Sequence, residues 1–208
     1  ITENFDTTTP LGRAMVHIAA TFAQLEREML QQRVRDNMLR LARTGRWLGG
    51  VTPIGYQAVR EKYTDQHGKE KYKYALTAVP EELELVKLIY DKYLTLRSLS
   101  QVEKYLLLHN YRTRNGSDFQ KQTIRTILTN PVYIKADALA YEYFQKMNID
   151  IANSQEEFDG LHGILTYNKN FKTQGKANEL RDPSEWIFAI GNHQGIIDAK
   201  DWIQVQNL

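Results

Sequence analysis

No proline occurs between Leu11 and Thr44, and this uninterrupted run constrains the fold more than any other feature. Thr9 can cap a helix and Pro10 suits the first helical position. Gly45 is a natural stop. A helix over residues 10–44 would be a rod of roughly 50 Å at about 1.5 Å per residue. Its two halves differ. Leu11, Met15, Ile18, Phe22, Leu25 and Met29 alternate spacings of four and three, which is a heptad seam that wants an apolar partner. Gln32 then breaks the rhythm, and a sparser stripe of Leu30, Val34, Met38 and Leu41 takes over.

The second half is cationic. Five arginines and one acid fall between Arg33 and Arg46. An amphipathic helix with a solvated charged end would show the same pattern. The sharper reading is a helix that pairs through its first half and grips a phosphate backbone with Arg33, Arg35, Arg40 and Arg43. The following segment, "GRWLGGVTPIGY", holds Arg46, the adjacent Gly49 and Gly50, and Pro53. A basic, glycine-containing strap suits an extended arm in a DNA minor groove, and a plain interdomain linker has a similar composition.

Further on, "GYQAVRE" and "KYKYALT" read as two strands around the polar turn "TDQHGKE". Pro80, Glu81 and Glu82 open a helix whose apolar positions are Leu83, Val86, Leu88, Ile89, Tyr90 and Tyr93, with acids where the dipole prefers them. A second helix from Ser98 or Ser100 is expected to bury Val102, Tyr105, Leu106 and Leu107. After the turn "HNYRTRNGSD", which carries Arg114, a third helix over Phe119 to Thr129 should bury Ile124, Ile127 and Leu128. It would expose Lys121, Gln122, Arg125 and Thr126, residue types that hydrogen-bond base edges or phosphates. The pair resembles a helix-turn-helix reader. Residues 132–180 are polar and mixed: "YEYFQKMNI" reads as helix and "NKNFKTQGKANELRDPSE" as an exposed loop. "EWIFAIGNHQGIID" reads as strand and turn, and "AKDWIQVQNL" as the start of a helix.

Net charge is only +2, so the distribution of charge says more than its total. There are no cysteines, which excludes disulfides and cysteine metal sites and fits a reducing compartment. No apolar run approaches the roughly 18 residues of a membrane span. The five histidines show no metal-ligand spacing, and no P-loop, dinucleotide or nucleophile-elbow motif is present. No metal and no cofactor is expected.

The stretch "FDTTTPLGRAMVHIAATFAQLERE", with Asp6-Thr7-Thr8, Gly12, Ala23-Gln24 and Glu26-Arg27, resembles the end of the catalytic domain and the long helix of serine recombinases of the resolvase/invertase superfamily. "GRWLGGVTPIGY", "NPVYI" and "HQGIIDAKDWIQVQNL" resemble landmarks of the second domain of the large, phage-integrase and transposon-type members. Lys135 stands where the family often has a glycine. The likeness is thinnest between residues 136 and 185.

The resemblance implies a DNA strand-exchange enzyme working through a 5′-phosphoserine intermediate without metal or nucleotide. Its long helix would make dimer and tetramer contacts and then cross the DNA. The matched active-site group is Glu26 and Arg27, in supporting roles. The nucleophilic serine would precede Ile1, so this chain is expected to be a piece of a longer protein, inactive alone. The implied fold is mainly α with small β elements (α+β). Residues 1–45 would form the end of the catalytic domain, 46–54 a basic linker, and 55–208 the DNA-binding recombinase domain. Double-stranded DNA and further copies of the chain are the expected partners, without a membrane, in a bacterial or phage-encoded cytoplasmic setting. A non-catalytic helix-turn-helix regulator and a protein-interaction domain with a merely solvated basic helix are the rival readings.

Overall fold

The computed structural model describes residues 7–65, 68–171, 175 and 177–208. Asp6 of the motif above, and Gln66 and His67 of the hairpin turn, lie outside the described residues. The chain divides into two units, residues 1–40 and 41–208.

In the first unit, helix α1 begins at Pro10 and runs on to Ala42. Thr9 caps it: its Oγ1 accepts from the Gly12 amide at 3.0 Å, occupying one of the first free donors. Every residue of the expected seam is exposed, Leu11 at 72 % and Phe22 at 67 %. Leu30, Val34 and Met38 of the second stripe are exposed too.

The second unit starts with the last turn of α1, where Ala42 is buried. The helix stops at Gly45, which takes a left-handed φ of +63°. A side chain there would collide with the Ile190 carbonyl oxygen, so the stop needs glycine for both conformation and space. Strands β1 (Tyr56–Thr64) and β2 (Glu70–Ala78) form the expected antiparallel hairpin. Three helices follow: α2 (Pro80–Leu96), α3 (Leu99–Leu108) and α4 (Lys121–Leu128). Next come α5 (Ala138–Lys146) and the short β3 (Asp150–Ile151). Strands β4 (His162–Tyr167) and β7 (Ile187–Gln194) pair antiparallel, with β3 parallel on the far edge of β7. Between them β5 (Asn170–Phe171) and β6 (Glu179–Leu180) make a small hairpin. The closing helix is α6 (Ala199–Gln206).

This is the expected α+β fold. Four details depart from the sequence reading. Leu107 is exposed, because α3 turns only Val102 and Leu106 fully inward. Phe119 is buried but precedes α4, which starts at Lys121. The stretch read as a loop from Asn168 to Glu185 contains the β5–β6 hairpin and a 3-10 turn. Strand β4 went unread because its apolar run, "GILTY", is short. Lys135, at the family's glycine position, has no positive φ. Its amide donates to Ile197 O at 2.8 Å and its ammonium pairs with Asp198 at 2.7 Å, so this turn does not need glycine.

One core joins the helices to the three-stranded sheet. Val86, Ile89 and Tyr90 of α2 meet Val102, Leu106, Ile124, Ile127, Phe144, Phe188 and Trp202 within it. The buried Tyr90 hydroxyl donates to Ile127 O at 3.2 Å and Leu128 O at 3.0 Å. It thereby satisfies carbonyls at the end of α4 that no intrahelical amide reaches.

Candidate nucleic-acid interface

The strap from Arg46 to Gly55 has little regular structure, yet side chains fix its path. Trp47 bridges to Tyr74 of β2. The Tyr167 hydroxyl donates to Arg46 O, and the Tyr133 hydroxyl donates to Ile54 O at 2.8 Å. Glu82 Oε2 accepts from the Gly55 amide at 2.7 Å. Arg114 completes the brace, donating to Glu82, to Thr52 Oγ1 at 3.0 Å and to Tyr56 O at 3.1 Å. The Arg114 guanidinium holds the Glu82 carboxyl below its usual range, burial opposes this, and the Gly55 amide adds to it. Burial pushes the Tyr133 hydroxyl well above its ordinary value and raises Tyr167 to about 12. Both therefore stay protonated donors. Gly49 and Gly50 lie between these anchors, each at φ +100°, a conformation that favours glycine. Both are exposed, as is Val51 at 95 %.

The strap borders α4. A groove of about 440 Å³ is lined by Val51 to Ile54 on one side and by Gln122, Thr123, Thr126 and Asn130 among others. The residues Ile124, Ile127 and Leu128 anchor α4 inward, which forces Lys121, Gln122, Arg125 and Thr126 outward. The side chains of Lys121, Gln122 and Arg125 have no hydrogen-bond or ion-pair partner among the described residues. Glu103 of α3 caps this helix by accepting from the Lys121 amide at 3.1 Å. Residues 109–120 connect α3 to α4, a longer link than the three or four residues of a tight helix-turn-helix.

The expected DNA-contacting arginines separate into two groups. Arg33 and Arg35 are exposed and have no carboxylate within ion-pair distance among the described residues; Arg40 donates to Asn37 Oδ1 at 2.9 Å and likewise pairs with no carboxylate among them. Arg43 is instead clamped by both Asp150 oxygens, one at 2.9 Å, and Arg114 by Glu82. Sequence alone cannot separate these groups, since Asp150 is 107 residues from Arg43. Arg46 rests over the Tyr63 ring at 4.9 Å, with no carboxylate in ion-pair distance among the described residues. Glu26 and Arg27 are exposed on one face of α1 with Leu30, Val34 and Arg35. No cluster of acids and histidines among the described residues could hold a metal, and no helix there is long and apolar enough to cross a membrane.

A family model named Recombinase matches residues 80–208, and one named Resolvase, N terminal domain, matches residues 1–47. The chain belongs to the Recombinase family, and the two matches in this order mark it as a large serine recombinase. A solved structure described as a crystal structure of an LSR–DNA complex is similar over 84 % of this chain, at 16 % identity and a TM-score of 0.44. This chain spans 36 % of that one.

Proposed function

We propose that this chain is the DNA-binding segment of a site-specific recombinase. The whole protein would cleave and rejoin duplex DNA through a phosphoserine intermediate. The observation that carries the reading is the outward face of α4. Three side chains suited to bases and phosphates stand there without partners among the described residues, beside a strap whose path the protein fixes. Binding does not have to order that strap from a random coil, which lowers its entropic cost.

In this reading Arg33, Arg35 and Arg40 meet phosphates, Gly49 and Gly50 let the strap follow a groove closely, and Lys121, Gln122 and Arg125 meet bases or backbone. The α1 seam assembles subunits, since an apolar stripe of that length is costly to leave in water. Glu26 and Arg27 support the active site of the whole protein, which works where the cell keeps its DNA. The match of residues 1–47 to a Resolvase N-terminal domain favours a recombinase over a non-catalytic regulator.

Salt titration of duplex binding tests the proposal. Replacing Arg33, Arg35 and Arg40 together with glutamine should lower the slope of log K against log salt by roughly three. Affinity should fall about tenfold to a hundredfold on every sequence alike. Gln122→Ala and Arg125→Ala should change which sequences are preferred. Binding that ignores salt, or none at all, would overturn the assignment; equal loss on all sequences from the α4 variants would remove its base-reading role.

A further inference from the structure

Next to the strap groove lies a second one, of about 490 Å³, lined by Thr126, Thr129 and Asn130 at the end of α4 and by Thr166 to Asn170. The two grooves share Thr126 and Asn130. The far wall is the turn between β4 and β5. Asn168 takes a left-handed φ of +57° there, and its side-chain amide donates to Glu185 O at 2.8 Å, which holds the turn in place.

Lys169 is the unexplained member. It is half-buried, its ammonium lies 4.9 Å from the Trp186 ring centroid, and burial alone depresses its pKa. No carboxylate stands within ion-pair distance among the described residues. A partly desolvated ammonium is costly without a counter-charge, and a ring face offsets only part of that. The other polar side chains lining the groove are amides and hydroxyls. Asn130 Oδ1 already accepts from the Val132 amide at 3.1 Å, which leaves its amide hydrogens to donate. The hydroxyls of Thr126 and Thr129 already donate to Gln122 O and Arg125 O, each at 2.9 Å, so neither is left to donate into the groove. The lining therefore offers the Asn130 and Asn170 amides and one cation, and no acid.

The geometry points to this groove as a seat for a backbone phosphate of the duplex whose bases or backbone meet α4, with Lys169 as its charge partner and Asn130 and Asn170 as hydrogen-bond donors. The inference rests on the DNA-binding reading above. It adds a contact that neither the basic helix nor the strap contains. The β4–β5 turn clamps the backbone beside the end of α4 and so fixes how the helix enters a groove, because phosphate contacts set register while base contacts set sequence.

The test compares Lys169→Met, Lys169→Arg and Asn170→Asp in salt titrations on two duplexes of unrelated sequence. Lys169→Met should weaken both complexes by a similar factor, up to about tenfold, and lower the salt slope by roughly one. Lys169→Arg should keep the slope. Asn170 is exposed, so Asn170→Asp should leave folding intact and weaken binding by putting a like charge at the rim. It carries the test if a melting curve shows that Lys169→Met has lost structure. Unchanged affinity and slope in Lys169→Met and Asn170→Asp, with Arg125→Ala still altering binding, would overturn the seat and leave the DNA reading standing. Failure of the unaltered chain to bind either duplex at low salt would overturn both.

Discussion

Residues 10–40 and residues 41–208 treat the same kinds of side chain in opposite ways. In the first region Leu11, Phe22 and Met29 are exposed, and Arg33 and Arg35 have no carboxylate within ion-pair distance among the described residues. In the second, apolar side chains of the same size are buried to a few per cent, and Arg43 and Arg114 are each held by a carboxylate. The second region carries its stability in its own contacts. The first is one helix, and an isolated helix gains most of its stability from what packs on it. An arginine's role here follows from its neighbours: those with a built-in carboxylate brace the fold, and those without one are available to an outside anion.

The sharpest way to break this contrast is at the junction. Gly45→Ala drives a Cβ into Ile190 O and forces a left-handed alanine. It should cost about 3 kcal/mol or more in denaturant unfolding of the second region. Helix content from residues 10–40 should change little, as circular dichroism would report. A loss below about 1 kcal/mol would mean that the stop is not locked to β7.

Acid gives the next largest effect. His193 is buried, its Nε2 donating to Val132 O at 2.9 Å. Burial pushes its pKa down to about 4, against a smaller upward pull from that hydrogen bond. The group is neutral when folded and gains a proton more easily when unfolded. Its contribution is therefore complete above the ordinary value near 6.5 and declines as pH falls from there toward 4. Stability of the second region should drop by about 2 kcal/mol between pH 7 and pH 5. A His193→Gln variant should lose that dependence, measured by urea titration at both pH values.

Arg114→Met should cost about 1–2 kcal/mol, less than a buried pair because the guanidinium is partly exposed, and should free the strap at Thr52. Hydrogen exchange at the Gly55 and Tyr56 amides would rise. Arg33→Gln should change stability by less than about 0.5 kcal/mol. Equal effects from the two substitutions would erase the distinction between bracing and free arginines.

Much of the candidate site was legible in the sequence. The outward set on α4 followed from helical spacing alone, because Ile124, Ile127 and Leu128 define the inward face. The fate of Arg43, Arg114 and Lys169 was not legible. Each depends on a neighbour brought in from far along the chain: Asp150, Glu82 and Trp186. The path of the strap was not legible either, since glycine and proline give no periodic signal and the hydrogen bonds that pin it come from Tyr133 and Tyr167.

By itself the sequence determined the long capped helix with its apolar and cationic halves, the hairpin, and the faces of α2 and α4. All are set by local spacing and by the few residues that start and stop regular backbone. Only the tertiary structure decided which cations are neutralised, where the strap runs, and that the β4–β5 turn lies beside the end of α4. Those outcomes depend on contacts between residues distant in the chain, which local patterns do not encode.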